Sequence, residues 1–204
     1  MLFRSVSIKY ITANSFDVMK HLLPILFLVA TTASFAINED AYNDFTIRAE
    51  DIPRDAPKFS DYPVARYGGK NAKPDLSRNT PSWQFRTRIS KWGLERPNFA
   101  GHYVLATWGC GTDCTQLTII DAINGKVYHP EGIRSNVAVN VHQSLLDGSS
   151  GWREEGSVKF TSESSLLVVV GMPEERAADR GISYFLWRNN RMERVKFVHK
   201  AWYP

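Results

Sequence analysis

Beyond Pro97 the chain becomes a succession of short runs rich in Val, Ile, Leu, Tyr, Phe, Trp and Thr, at 102–109, 114–121, 126–129, 157–161, 165–171, 182–188 and 192–198. Residues of these types, in runs of this length, fit a pleated and partly buried surface. Asn124-Gly125 and Asn189-Asn190 supply tight-turn signals between neighbouring runs. A duplication is visible: a strand ending in Gly109 or Gly171, a loop, a strand, an Asn-containing turn and a further strand. Two such meanders are too few for a propeller, which takes at least about four blades. They suit one antiparallel sheet or a two-sheet sandwich of about seven strands. The fold class expected is α+β, mostly β, with one N-terminal helix packed on the sheet.

That helix is expected at about 81–92. Thr80 stands where an N-cap would, Pro81 occupies the first helical position, where its missing N–H costs nothing, and Gly93 supplies the stop. Phe85, Ile89 and Trp92 fall on one face, while Arg86, Arg88 and Lys91 lie largely off it and read as a solvated face. Before it, 37–79 carries Pro53, Pro57, Pro63 and Pro74 with no apolar period of useful length. This is an irregular arm, and its Phe45, Ile47, Phe59, Tyr62 and Val64 predict that it lies along the body of the protein, the single helix-and-sheet domain at 80–204.

Met19, Lys20 and His21 precede an apolar run from Leu22 to Ala30, followed by small residues ending at Ala36. This is the pattern of a secretory signal peptide at 1–36, with cleavage after Ala36 and Met19 as an alternative start. The run is about half of the ~20 apolar residues a bilayer span requires, so no membrane span is expected after cleavage. The sequence has 25 Lys and Arg against 21 Asp and Glu, a net charge of +4. Removing 1–36 takes away Arg4, Lys9 and Lys20 against Asp17, leaving +2. A field that weak, with no basic stripe, argues against a nucleic-acid partner.

No GxSxG, HExxH, CxxC or phosphate-loop motif is present, and no cofactor or metal is implied. Cys110-Gly111-Thr112-Asp113-Cys114 is the most specific feature, because the two cysteines of an exported chain fall at the tip of an expected hairpin. A disulfide is expected, with Thr112 and Asp113 exposed and Trp108 beside them as candidate binding residues. Pairing 110 with 114 and 123 with 126 would place Tyr103, Asp121 and Tyr128 in one row on one face, a second candidate binding group. The same register puts His129 beside Ile120, and places both His129 and His102 too far from the cysteines to share a metal ion. Asp121 accepting hydrogen bonds from its own turn is the plainer reading of that carboxylate. The charged stretch Pro173 to Arg180 and the Glu154-Glu155 pair read as solvated loops.

Asn98-Phe99-Ala100-Gly101-His102-Tyr103, then Thr107-Trp108-Gly109-Cys110-Gly111-Thr112 and Cys114, resemble a pattern of small exported bacterial proteins of uncharacterised function. The resemblance covers about the middle third of the chain and implies an envelope location, periplasmic or secreted. A disulfide-closed loop on a small α+β body is also similar in kind to the periplasmic inhibitors of vertebrate lysozyme, although here the loop holds Gly-Thr-Asp without a histidine. The function expected is a non-enzymatic binding or inhibitor-like module whose partner is an envelope protein or polymer. The alternatives are a hydrolase of an envelope polymer acting through Asp and Glu, or a redox or metal protein using Cys110 and Cys114.

Overall fold

Strand pairing follows chain order wherever a short turn joins two β-rich runs. The computed structural model describes residues 45–142, 145 and 158–201. The signal segment, Trp152 and Glu154-Glu155 lie outside the described residues. Eight strands form: β1 (Tyr103–Gly111), β2 (Cys114–Asp121), β3 (Val127–Tyr128), β4 (Ser135–Val137), β5 (Val158–Phe160), β6 (Leu166–Pro173), β7 (Gly181–Arg188) and β8 (Arg191–His199). They make one sheet in the order β1-β2-β4-β6-β7-β8, with β3 paired to β2 and β5 paired to β6, and every strand pairing is antiparallel. The protein is mostly β. The strand at Ser135–Val137 was not expected, because three residues with Ser and Asn among them carry no β signature.

Alternation along the strands builds separate cores on the two faces. Tyr103, Leu105, Leu117 and Ile119 share one core with Leu167, Val169, Phe185 and Trp187. The β1-β2 half and the β6-β7 half of the sheet therefore pack on each other through the same apolar cluster, and β4 bonds to both halves. On the far face of β6 and β7, Leu166, Val168, Val170, Ile182, Tyr184 and Leu186 pack with Ile47, Phe59 and Tyr62 of the arm. On the far face of β1 and β2, Val104, Ala106, Trp108 and Ile120 pack with Phe85, Ile89 and Trp92.

The helical segment differs from the expected single helix. It is two pieces, α1 (Pro81–Gln84) and α2 (Arg86–Trp92), separated at Phe85, whose φ of −104° and ψ of 18° leave the helical region. Thr80 does not cap through its side chain; its hydroxyl donates to the Ser77 carbonyl at 2.6 Å instead. Seven and four residues are too few to be helical alone. Tertiary packing holds them, through fully buried Ile89 and through Phe85, whose ring centroid lies 5.3 Å from that of Trp108.

The arm is anchored by hydrogen bonds as well as by apolar contacts. Ile47 N–H donates to Asn140 O at 2.9 Å and Val64 N–H donates to Glu163 O at 2.9 Å. Further on, Asp75 N–H donates to Gly125 O at 2.7 Å. Gly125 has φ of 80°, and a Cβ there would collide with the Lys73 carbonyl, so only glycine lets the arm cross this turn. Arg180, fully buried, gathers the Phe45, Lys200 and Ala201 carbonyl oxygens.

Candidate functional site

The β1-β2 hairpin carries the cysteine pair at its tip. The ladder runs in register from Tyr103 opposite Asp121 to Gly109 opposite Thr115, then shifts by a bulge so that Gly111 faces Cys114. Cys110 and Cys114 form a disulfide with Cα atoms 5.1 Å apart. Thr112 and Asp113 are exposed. Asp113 takes a left-handed backbone, φ 55°, which Asp tolerates better than most residues. The tip is held from a second side: Asp113 O accepts the Ala138 N–H at 2.7 Å, and Cys114 pairs with Val137 of β4.

Trp108 is two residues from Cys110 and buried, and it presents to α2. Its indole N–H donates to Gln116 Oε1 at 2.9 Å, which fixes the ring, and the Arg88 guanidinium carbon lies 5.9 Å from the ring centroid. A cleft of about 520 Å³ opens here between α2 and β1, lined by Arg88, Lys91, Trp92, Glu95, Thr107 and Trp108. It offers two indole rings and two cations, a combination suited to an anionic group with a flat or apolar neighbour. The reading of Arg88 and Lys91 as a merely solvated face missed this cleft, because nothing in the helix sequence places β1 alongside them.

Tyr103, Asp121 and Tyr128 do not assemble into a row. Tyr103 does lie opposite Asp121, but Tyr128 lies opposite Ile119, two residues from the expected place. The reason is the turn after β2. Asp121 accepts from Ile123 N–H at 2.8 Å, from Asn124 N–H at 3.4 Å and from Asn124 Nδ2 at 2.8 Å, so its carboxylate closes a longer turn that sets Val127 opposite Ile120. His102 Nε2 stands 3.8 Å from Asp121 Oδ1. The Tyr103 hydroxyl donates instead to Asn190 Oδ1 at 2.9 Å, in the β7-β8 turn. Tyr103, Tyr128 and Trp187 meet edge to face, with centroids 5.4 to 6.5 Å apart. Burial pushes both phenols above their ordinary pKa.

The shift of β3 also moves His129, which contacts Thr118 rather than standing beside Ile120. Its Nδ1 lies 3.3 Å from Thr118 Oγ1, and its Nε2 lies 3.1 Å from the Oγ of Ser82 in α1. Sequence reasoning did not find this chain of three, since its members come from α1, from β2 and from the residue after β3. Ser82 and Thr118 are both buried, so the contact ties α1 to the sheet. Burial, and then the nearby Arg134 charge, hold the imidazole below its ordinary pKa.

Among the described residues there is no cluster of three or more His, Cys, Asp or Glu that could hold a metal ion, and no helix is long and apolar enough to cross a membrane. Against this geometry, no known protein family, no curated protein and no solved structure matches the chain.

Proposed function

We propose that the protein is an exported, non-enzymatic binding module of the bacterial envelope, and that it engages an envelope protein through the loop Gly111-Thr112-Asp113. The observation that carries this reading is the double restraint of an exposed tip. The disulfide closes the loop from within, and the Asp113 O to Ala138 N–H bond fixes it from outside. A contact loop already held in one conformation loses less ordering entropy when it binds. Export rests on the tripartite segment from Met19 to Ala36, and the disulfide is compatible with it. In the same reading the sheet is two meanders, β1-β2-β3 and β6-β7-β8, with the loop at the exposed tip of the first.

The test uses mature protein isolated from the envelope and cross-linked in envelope extract. Its N-terminus should read Ile37-Asn38-Glu39-Asp40, and one protein partner should be captured in stoichiometric amount. Asp113→Asn removes the charge while keeping a residue that accepts left-handed backbone. It should lose the partner without a change in unfolding midpoint. Equal capture by Asp113→Asn and by the Cys110→Ala/Cys114→Ala variant would overturn the reading, as would depolymerisation of an envelope glycan by the pure protein.

A further inference from the structure

β1 is an end strand of the sheet, so one row of its backbone groups faces away from β2. Known bonds fix which row. Tyr103 N–H donates to Phe99 O and Tyr103 O accepts the Asn98 N–H, each at 3.0 Å. Leu105 N–H donates to Asn98 Oδ1 at 2.7 Å, and Asn98 Nδ2 donates to Leu105 O at 3.2 Å. Asn98 thus imitates a neighbouring strand for one residue. N–H and C=O groups of alternate residues in a strand point the same way, so Thr107 and Gly109 also face outward. The opposite strand agrees: Leu117, which pairs with Thr107, sends its N–H to Arg134 O on its other side. Among the described residues, no hydrogen bond from outside the β1-β2 ladder reaches the backbone of Thr107 or Gly109.

Sheets ordinarily guard their edges with charge, proline or bulges. The other end strand, β8, is guarded: it carries Arg191, Glu193, Arg194 and Lys196, and its pairing with β7 is bulged between Tyr184 and Phe185. From Thr107 to Gly111, β1 has no charged residue and no proline, and its bulge falls after Gly109, at the hairpin tip, leaving the ladder regular through Thr107 and Gly109. Its open groups lie beside the cleft lined by Arg88, Lys91 and Glu95, which is net positive: both cations are exposed and form no ion pair with a carboxylate among the described residues.

We infer that the Thr107–Gly109 edge accepts an added β-strand from a protein partner, an extended acidic peptide whose main chain bonds Thr107 and Gly109 and whose carboxylates meet Arg88 and Lys91. Paired donors and acceptors repeated every two residues, about 6.6 Å apart, match another main chain and not a sugar ring. The inference goes beyond the loop reading: an added strand would run on from the same hairpin tip, but its hydrogen bonds are made by the edge alone.

The probe is a display library of random ten-residue peptides selected against the mature protein. Selected peptides should alternate β-branched residues with Asp or Glu and should shift the backbone amide resonances of Thr107 and Gly109. N-methylation of the peptide amides that face the edge should weaken binding at least tenfold. Arg88→Glu with Lys91→Glu should do the same. So should Thr107→Pro, which removes an outward N–H and leaves the β1-β2 ladder intact. Failure to select any peptide, or binding that survives N-methylation, overturns the inference. Binding of a sulfated glycan that persists in Thr107→Pro overturns it too, as does a dimer of the mature protein sealed through this edge. Partner capture that needs Asp113 and ignores Thr107→Pro would leave the loop reading standing and remove this one. Edge-bound peptides without an Asp113-dependent partner would do the reverse.

Discussion

Arg180 donates from Nη2 to the Phe45 carbonyl at 2.6 Å, joining residues 135 apart in sequence. Its Nη1 donates to Lys200 O at 2.9 Å and to Ala201 O at 3.1 Å. Arg180→Ala would remove three hydrogen bonds and empty the space of a fully buried side chain, and each half-buried carbonyl left unsatisfied costs about 1–3 kcal/mol. Urea unfolding should show a loss of about 3 kcal/mol or more. A loss below about 1 kcal/mol would mean that water satisfies them and that the clasp is incidental.

Ile89 is the fully buried contact of α2. An aspartate there must either bury an unpaired charge or force the helix off the sheet, so Ile89→Asp should destabilise by several kcal/mol. Thermal unfolding followed by far-UV circular dichroism reads the effect. A change within about 0.5 kcal/mol would place the helix in solvent.

The disulfide closes a very short loop, and chain-entropy arguments assign it about 2 kcal/mol. Cys110→Ala/Cys114→Ala should therefore fold to the same sheet with a modestly lower melting temperature. Thiol titration of the native protein should find no free cysteine. Loss of folding in the variant would show that the bridge holds β4 as well as the tip.

His129 sets a pH dependence. Its folded pKa is depressed by burial and by Arg134, so on acidification the unfolded chain takes up this proton first. Stability rises with pH wherever the unfolded state binds more protons. The contribution is constant well above the ordinary imidazole value of about 6.5 and is lost as pH falls below it. Urea midpoints at pH 7.5, 6.5 and 5.5 should decline in the wild type and decline less in His129→Gln. Parallel curves for the two proteins would assign the decline to other groups.

Much of the sheet was legible because its turns are local. Asn189 and Asn190 both take left-handed backbone, φ 49° and 57°, and Arg188 pairs with Arg191, as two-residue hairpin chemistry requires. The Cys110 to Cys114 spacing placed Tyr103 opposite Asp121 correctly. The register of β3 failed where a side chain intervened: Asp121 collects the amides of its own turn and brings Tyr128 back to Ile119. One sheet or two was not legible either. Leu166–Pro173 and Gly181–Arg188 are buried on both faces, so their apolar runs show no alternation to count. The cleft at Arg88 and Trp108 was invisible for a simpler reason, since it depends on how a helix and an edge strand lie side by side.

β4 is three residues long, yet Asn136 pairs with Thr115 on one side and with Pro173 on the other. A strand this short has no persistence of its own and gains order only from ladders already standing beside it. The hairpins β1-β2 and β6-β7 close through nearby residues, whereas β4 joins segments remote in the chain. Assembly of the protein is thus expected to finish at Ser135–Val137, and opening to begin there. Since Cys114 pairs with Val137, the disulfide-bearing tip takes its final position only when the last strand arrives. A newly made chain would present the loop Gly111-Thr112-Asp113 in finished form only once the whole sheet is complete.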